Sequence, residues 1–187
     1  MSLRHALLGA LADHRRTGYA LLRHFQQSLA NAWPASHSQI YPELGRLLEE
    51  GLIAETETGS RNSRTYALTG AGLAEIRRWL TGTEPERRVR SDAVLRTFFL
   101  WLLEPADARA HLEREQAYWQ GLLEQLQTIR GEPRGTSRKE HAFLLALEGG
   151  IRTAESRLDG LAWALEEVSS DAWRAEDATP ESAPTPD

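Results

Sequence analysis

Within ten positions the chain sets out His37, Ser38, Gln39, Tyr41 and Arg46, side chains that can hydrogen-bond a polar surface without a metal or a nucleophile beside them. A carboxamide such as Gln39 donates and accepts side by side, which matches the edge of adenine, and a guanidinium such as Arg46 matches the edge of guanine. Hydroxyls such as those of Ser38 and Tyr41 suit phosphate oxygens. A second group, Arg61, Asn62 and Arg64, falls in a polar stretch and suits a minor groove or flanking phosphates. A surface helix and a hairpin with chance arginines is the plainer reading, and it weakens once both groups fall in one small unit. A third group, Trp101, Trp119 and Trp163, could line a pocket for a small flat aromatic effector, with core packing as the competing reading for each.

Other chemistries find little support. The histidines at 5, 14, 24, 37, 111 and 141 include no pair at i, i+4, and there is no cysteine, no Gly-rich phosphate loop and no nucleophile elbow. The expectation is a protein that is not an enzyme and holds no metal and no cofactor. The absence of cysteine fits a reducing cytoplasm. No run of about 18 apolar residues exists to span a membrane, and the charged, short N-terminal apolar stretch reads as a core helix instead of a signal peptide.

The elements that must position these residues follow from periodicity. Leu3, Ala6, Leu7, Ala10 and Leu11 predict a first amphipathic helix. Tyr19, Leu22, Phe25 and Leu29 predict the face of a second, which stops before Trp33 and Pro34. Ser36 and Gln39 have the spacing of a capping box, each satisfying an orphan backbone donor of the other's. The third helix they open turns Ile40, Leu44, Leu47 and Leu48 inward and ends at Gly51, a left-handed cap. Pro42 costs it one hydrogen bond. Strands over 52–58 and 65–69, joined by the polar loop 59–64, precede a fourth helix over 70–80. That order predicts a winged helix-turn-helix over residues 1–81.

Residues 82–90 lack periodicity and read as a linker. Beyond them the chain is helical, so the fold class is mainly α, with long antiparallel C-terminal helices forming a dimerisation domain over 91–170. The stretch 92–103 is apolar enough to be buried on most sides. Leu112, Glu115, Trp119, Leu122, Leu126 and Ile129 alternate at three and four, with Glu115 the misfit, and Leu144 through Val168 do so unbroken. Such a heptad seam predicts coiled-coil packing, and its length points to a second chain; the Gly149–Gly150 pair would allow two backbones to approach. The composition of 171–187 predicts a disordered tail.

Charge supports this division. Nine arginines against seven acids leave residues 1–80 at +2, and the remainder carries −7 of the total −5. A basic head on an acidic body fits a nucleic-acid reader with a separate partner domain.

The stretches Leu7–Leu11, Gly18–Tyr19, Ser38–Leu44, Arg46–Ile53 and Tyr66–Gly72 resemble the PadR family of transcription regulators, and the C-terminal part is similar to its virulence-activator type. The resemblance implies a homodimer that represses from a palindromic double-stranded DNA operator, with some members released by a small aromatic molecule. It implies that Ser38, Gln39 and Tyr41 contact DNA from the recognition helix, and Arg61 and Arg64 from the wing. Family wings often carry Lys or Arg after a glycine pair, which Gly59-Ser-Arg-Asn62 replaces here. A winged-helix protein–protein adaptor without DNA binding is the alternative, separable by removing only the wing arginines.

Overall fold

The computed structural model describes residues 2–28, 35–58, 64–85, 87 and 91–174, and the chain divides into two compact units, Met1–Arg87 and Arg88–Asp187. The first unit runs α1 (Ser2–Asp13), β1 (Arg16–Thr17), α2 (Gly18–Ser28), α3 (His37–Glu49), β2 (Ile53–Thr58), β3 (Arg64–Leu68) and α4 (Gly70–Gly82). Its core joins Leu7, Leu8 and Leu11 of α1 to Leu21 and Phe25 of α2, Ile40, Leu44 and Leu47 of α3, Ile53 of β2 and Tyr66 of β3. Each fully buried aliphatic or phenyl group there is worth about 1.5–3 kcal/mol relative to exposure.

The sheet is antiparallel in the order β1-β3-β2. The sequence predicts only two of these strands. β1 is two residues long, Arg16 opposite Tyr66 and Thr17 opposite Thr65, too short to show alternation, and its partner lies some fifty residues downstream. Between β2 and β3 the register shifts from Glu55–Tyr66 to Glu57–Thr65, so Thr56 is the extra residue of a bulge.

The buried face of α2 also differs from expectation. Tyr19 is 65% exposed, whereas Leu21 and Phe25 are fully buried and Leu22 half-buried. Tyr19/Leu22 and Leu21/Phe25 are both acceptable helical series, and packing against α1 and α3 chooses the second. Leu29, Trp33 and Pro34 lie outside the described residues.

Two joints hold α4 in place. Thr69 caps it by accepting the Gly72 N–H at 3.1 Å, and its hydroxyl also donates to the Gly51 and Leu52 carbonyls at 2.8 and 2.9 Å. Gly51 has φ 68°, the left-handed turn that ends α3 and opens β2. At the other joint His5 of α1 is buried, stacks on Trp79 with ring centroids 4.5 Å apart, and lies 3.2 Å through Nε2 from Glu75 Oε1. Arg78 donates to the same carboxylate. The Arg78 hydrogen bond, followed by that of His5, holds the Glu75 carboxyl below its ordinary range. A lowered acid contributes stability above the unfolded pKa and loses it as pH falls through the folded one. Glu75→Gln should therefore melt below the wild type at neutral pH, with the gap closing as the pH falls below the ordinary carboxyl value of 4.5. Thermal midpoints of both proteins across pH check this.

The second unit contains α5 (Asp92–Thr97), a 3-10 turn at Leu100–Leu102, α6 (Pro105–Gly131), α7 (Arg138–Glu167) and α8 (Asp171–Arg174). Pro105 opens α6, where no helical N–H is lost. Ser137 caps α7 by accepting the Glu140 N–H. The 30 residues of α7 span about 45 Å.

The seam of α7 finds its partner within the chain. Leu147, Ile151 and Ala154 pack on Leu123 and Leu126, while Leu161, Leu165 and Val168 pack on Ala108 and Leu112, so α6 and α7 run antiparallel. Within one chain α6 thus covers the seam from Leu147 onward, while Leu144 at its start stays 40% exposed. Gly150 sits against the Leu126 side chain and Gly149 faces open space, so neither brings two backbones together here.

The stretch 92–103 reverses its prediction. Only Leu100 is buried; Leu95, Phe98, Phe99, Trp101 and Leu102 are 51–72% exposed. The α6–α7 hairpin already closes its own core, which leaves room for a single anchor from this segment. Residues 171–174, expected in a disordered tail, are instead helical, and Trp173 packs against the Leu100–Leu112 cluster; residues 175–187 lie outside the described residues.

Candidate nucleic-acid interface

The cap of α3 fixes how its first turn is presented. Ser36 is in extended conformation (φ −93°, ψ 164°) and the capping box is formed. Gln39 Oε1 accepts the Ser36 backbone N–H and the Ser36 hydroxyl, both at 3.0 Å. The carbonyl end of Gln39 is thus committed to the cap, leaving its amide Nε2 as the outward donor. Bidentate pairing with adenine, which needs both ends, is open to Gln39 only if the cap is given up. Ser38 lies 2.9 Å from the Ser36 hydroxyl.

His37, Ser38, Gln39, Tyr41 and Arg46 are all exposed, while Ile40, Leu44 and Leu47 hold the opposite face in the core. The rings of His37 and Tyr41, one turn apart, pack at 4.2 Å between centroids. Arg46 bonds Glu43 at 2.9 Å across the surface, a pair open enough to exchange for another anion. All five lie on the part of α3 that the core leaves exposed.

At the root of the hairpin Arg64 is 57% exposed and stands 3.6 Å from Glu55 across the strand pair. Arg61 and Asn62 lie outside the described residues. Tyr66, beside Arg64 on β3, is buried in the core, and burial pushes its phenol up.

Gly18 is a residue that sequence reasoning left without a structural reason. A Cβ there would stand 2.8 Å from Tyr41 Cε1. The end of the Tyr41 ring therefore lies against the start of α2, and any side chain at position 18 would have to push it aside.

The second unit holds a groove of about 520 Å³ between α5, α6 and α7, lined among others by Phe98, Glu115, Trp119, Arg157 and Trp163. The Arg157 guanidinium lies 5.7 Å from the centre of the Trp119 ring. Trp119 and Trp163 both line this groove, but Trp101 is not in the lining and is 61% exposed. Trp101 is held outward in the 3-10 turn that buries Leu100 instead. Glu115, the misfit in the α6 seam, is a groove residue, and that irregularity was the available signal. Among the described residues no group of three or more His, Cys, Asp or Glu could hold a metal ion, and no helix is long and apolar enough to cross a membrane.

Comparison with known proteins fixes the family. The model of the transcriptional regulator PadR-like family matches residues 7–78, and that of the virulence activator alpha C-terminal region matches residues 89–169. A probable transcriptional regulator of Mycobacterium tuberculosis is 32% identical over 179 residues, covering 86% of this chain and 94% of that protein. The chain belongs to the PadR-like family of transcriptional regulators.

This PadR-like chain is also 29% identical over 180 residues to the negative transcriptional regulator PadR of Bacillus subtilis, covering 90% of the one and 98% of the other. The crystal structure of that protein in complex with operator DNA has a TM-score of 0.81 at 27% identity, over 90% of this chain and 99% of that one. Its complex with p-coumaric acid has a TM-score of 0.78 at 26% identity, over 91% and 100%. The PadR-like match over 7–78 contains α3, the Thr69–Gly72 joint and the Gly18–Tyr41 contact.

Proposed function

We propose that this regulator is a sequence-specific repressor that binds a palindromic operator as a homodimer, acting by binding and not by catalysis, in the cytoplasm. The observation that carries the reading is the capped α3 with its exposed polar face, in a chain similar over nine tenths of its length to a protein solved on operator DNA. In this reading α3 enters the major groove. Ser38 and Tyr41 meet phosphates, Arg46 and the Gln39 amide meet base edges, His37 supports Tyr41, and the wing residues Arg61, Asn62 and Arg64 follow the flanking backbone. Residues 1–81 form the DNA-binding domain, 82–90 the linker and 91–170 the dimerisation domain. The groove of Trp119 and Trp163 receives a flat aromatic effector, a reading supported by the p-coumaric acid complex of the B. subtilis protein.

Selection of bound sequences from a random duplex pool tests the reading. A two-fold dimer should select an inverted repeat with half-sites about one helical turn apart, and p-coumaric acid added to the complex tests effector release. A selected site without two-fold symmetry, or no enrichment at all, would sink it.

The wing makes a quantitative prediction. Arg64→Ala should weaken binding to every duplex and reduce the salt slope by about one unit, since one phosphate contact is lost. Anisotropy titrations at several salt concentrations measure both.

A further inference from the structure

Tyr19 is a large aromatic residue that the core does not use. It is 65% exposed, although its spacing with Leu22 would allow burial. Its backbone is held firmly. Thr17 Oγ1 accepts the Ala20 N–H at 3.1 Å and so caps the first turn of α2. Arg16 and Thr17 pair with Tyr66 and Thr65 of β3, the strand that begins with wing residue Arg64. The preceding Gly18 lies against the Tyr41 ring, with a Cβ position only 3.1 Å from the Tyr41 hydroxyl. Tyr19 therefore follows directly on a point fixed against the recognition helix and tied through β1 to the root of the wing. His37, Tyr41 and the start of α2 make one continuous surface.

We infer that Tyr19 is a further contact residue of the DNA interface, donating its phenolic hydroxyl to a backbone phosphate beside the half-site read by α3. The inference rests on the DNA-reading function proposed above. A phenol carries one donor and no charge at neutral pH, so it can bond a phosphate without displacing a counterion. The phosphate is the matching acceptor because backbone contacts set register while carrying no base information. The positive end of the α2 dipole lies at the same place and favours an anion there.

This contact has a signature that separates it from an arginine contact. Tyr19→Phe keeps the ring and removes only the donor. Binding to a labelled duplex carrying the selected inverted repeat should weaken roughly ten- to a hundredfold, the loss of one hydrogen bond to a charged group. The salt slope and the selected sequence should stay as in the wild type, in contrast to Arg64→Ala. Gly18→Ala, which must displace the Tyr41 ring, should also weaken binding. Thermal melting of each variant confirms that the fold is intact. Tyr19→Phe affinity within twofold of wild type, or a slope lowered by a full unit, would overturn the assignment. A wild type that binds no duplex more tightly than random DNA would instead remove the DNA-reading function itself.

Discussion

Gly72→Ala should unfold the first unit at temperatures where the wild type is native. A Cβ at position 72 would stand 2.1 Å from the Leu52 carbonyl oxygen and 2.6 Å from Leu68 Cδ1. The first of these is backbone, and it is fixed twice over, because Leu52 O accepts both the Thr69 hydroxyl at 2.9 Å and the Thr69 N–H at 3.1 Å. Relief requires the first turn of α4 to leave the β2 start, which breaks the Thr69 cap and loosens the His5–Glu75–Trp79 joint on the same helix. Overpacking of this kind costs about 3 kcal/mol or more. In a domain of this size that lowers the midpoint by more than about 12 °C. Gly70→Ala is the control: it is on the same turn with nothing within 4 Å, and should melt close to wild type. Circular dichroism on both variants decides it. A Gly72→Ala midpoint within a few degrees of the control would show that α4 does not dock through this glycine. DNA binding should fall with the fold, since β2, β3 and α3 share the joint.

The second large effect concerns assembly. Replacing Phe98 and Trp101 together by serine should leave the single chain folded and dissociate the proposed homodimer. The two rings are 72% and 61% exposed, and Leu95, Phe99 and Leu102 beside them are more than half exposed. Contiguous apolar surface of this kind marks an interaction site. Aromatic side chains at the centre of an interface carry about 2–4 kcal/mol each, so the dissociation constant should rise at least about a hundredfold. Sedimentation equilibrium at micromolar concentration should show monomer for the variant and dimer for the wild type. A variant that remains dimeric would place the interface elsewhere on the second unit. The stability cost within one chain should be small, because Leu100, the buried anchor of this segment, is untouched.

Much of the first unit was legible because its signals are local. The Ser36–Gln39 box, the inward series Ile40, Leu44 and Leu47, and the left-handed Gly51 each depend on a few consecutive residues. The candidate face of α3 followed from them, since fixing three buried positions on a helix fixes the others outward. The β1 strand, the choice between Tyr19 and Leu21, and the contact of Gly18 with Tyr41 were not legible, because each is settled by a partner far along the chain.

In the second unit the sequence by itself determined that two long helices exist and which residues form their apolar stripes. It could not determine what covers those stripes. A heptad seam is equally satisfied by a second chain or by a neighbouring helix of the same chain, and the turn after Gly131 let α6 take that role. Once α6 and α7 were closed on each other, the apolar segment 92–103 could lodge only Leu100, and its remaining aromatic residues stayed outside. The same closure placed Glu115 and Arg157 in the groove beside Trp119 and kept Trp101 out of it. Periodicity along one chain records which side of a helix avoids water, whereas the surface that excludes the water is chosen by the packing of all the helices together.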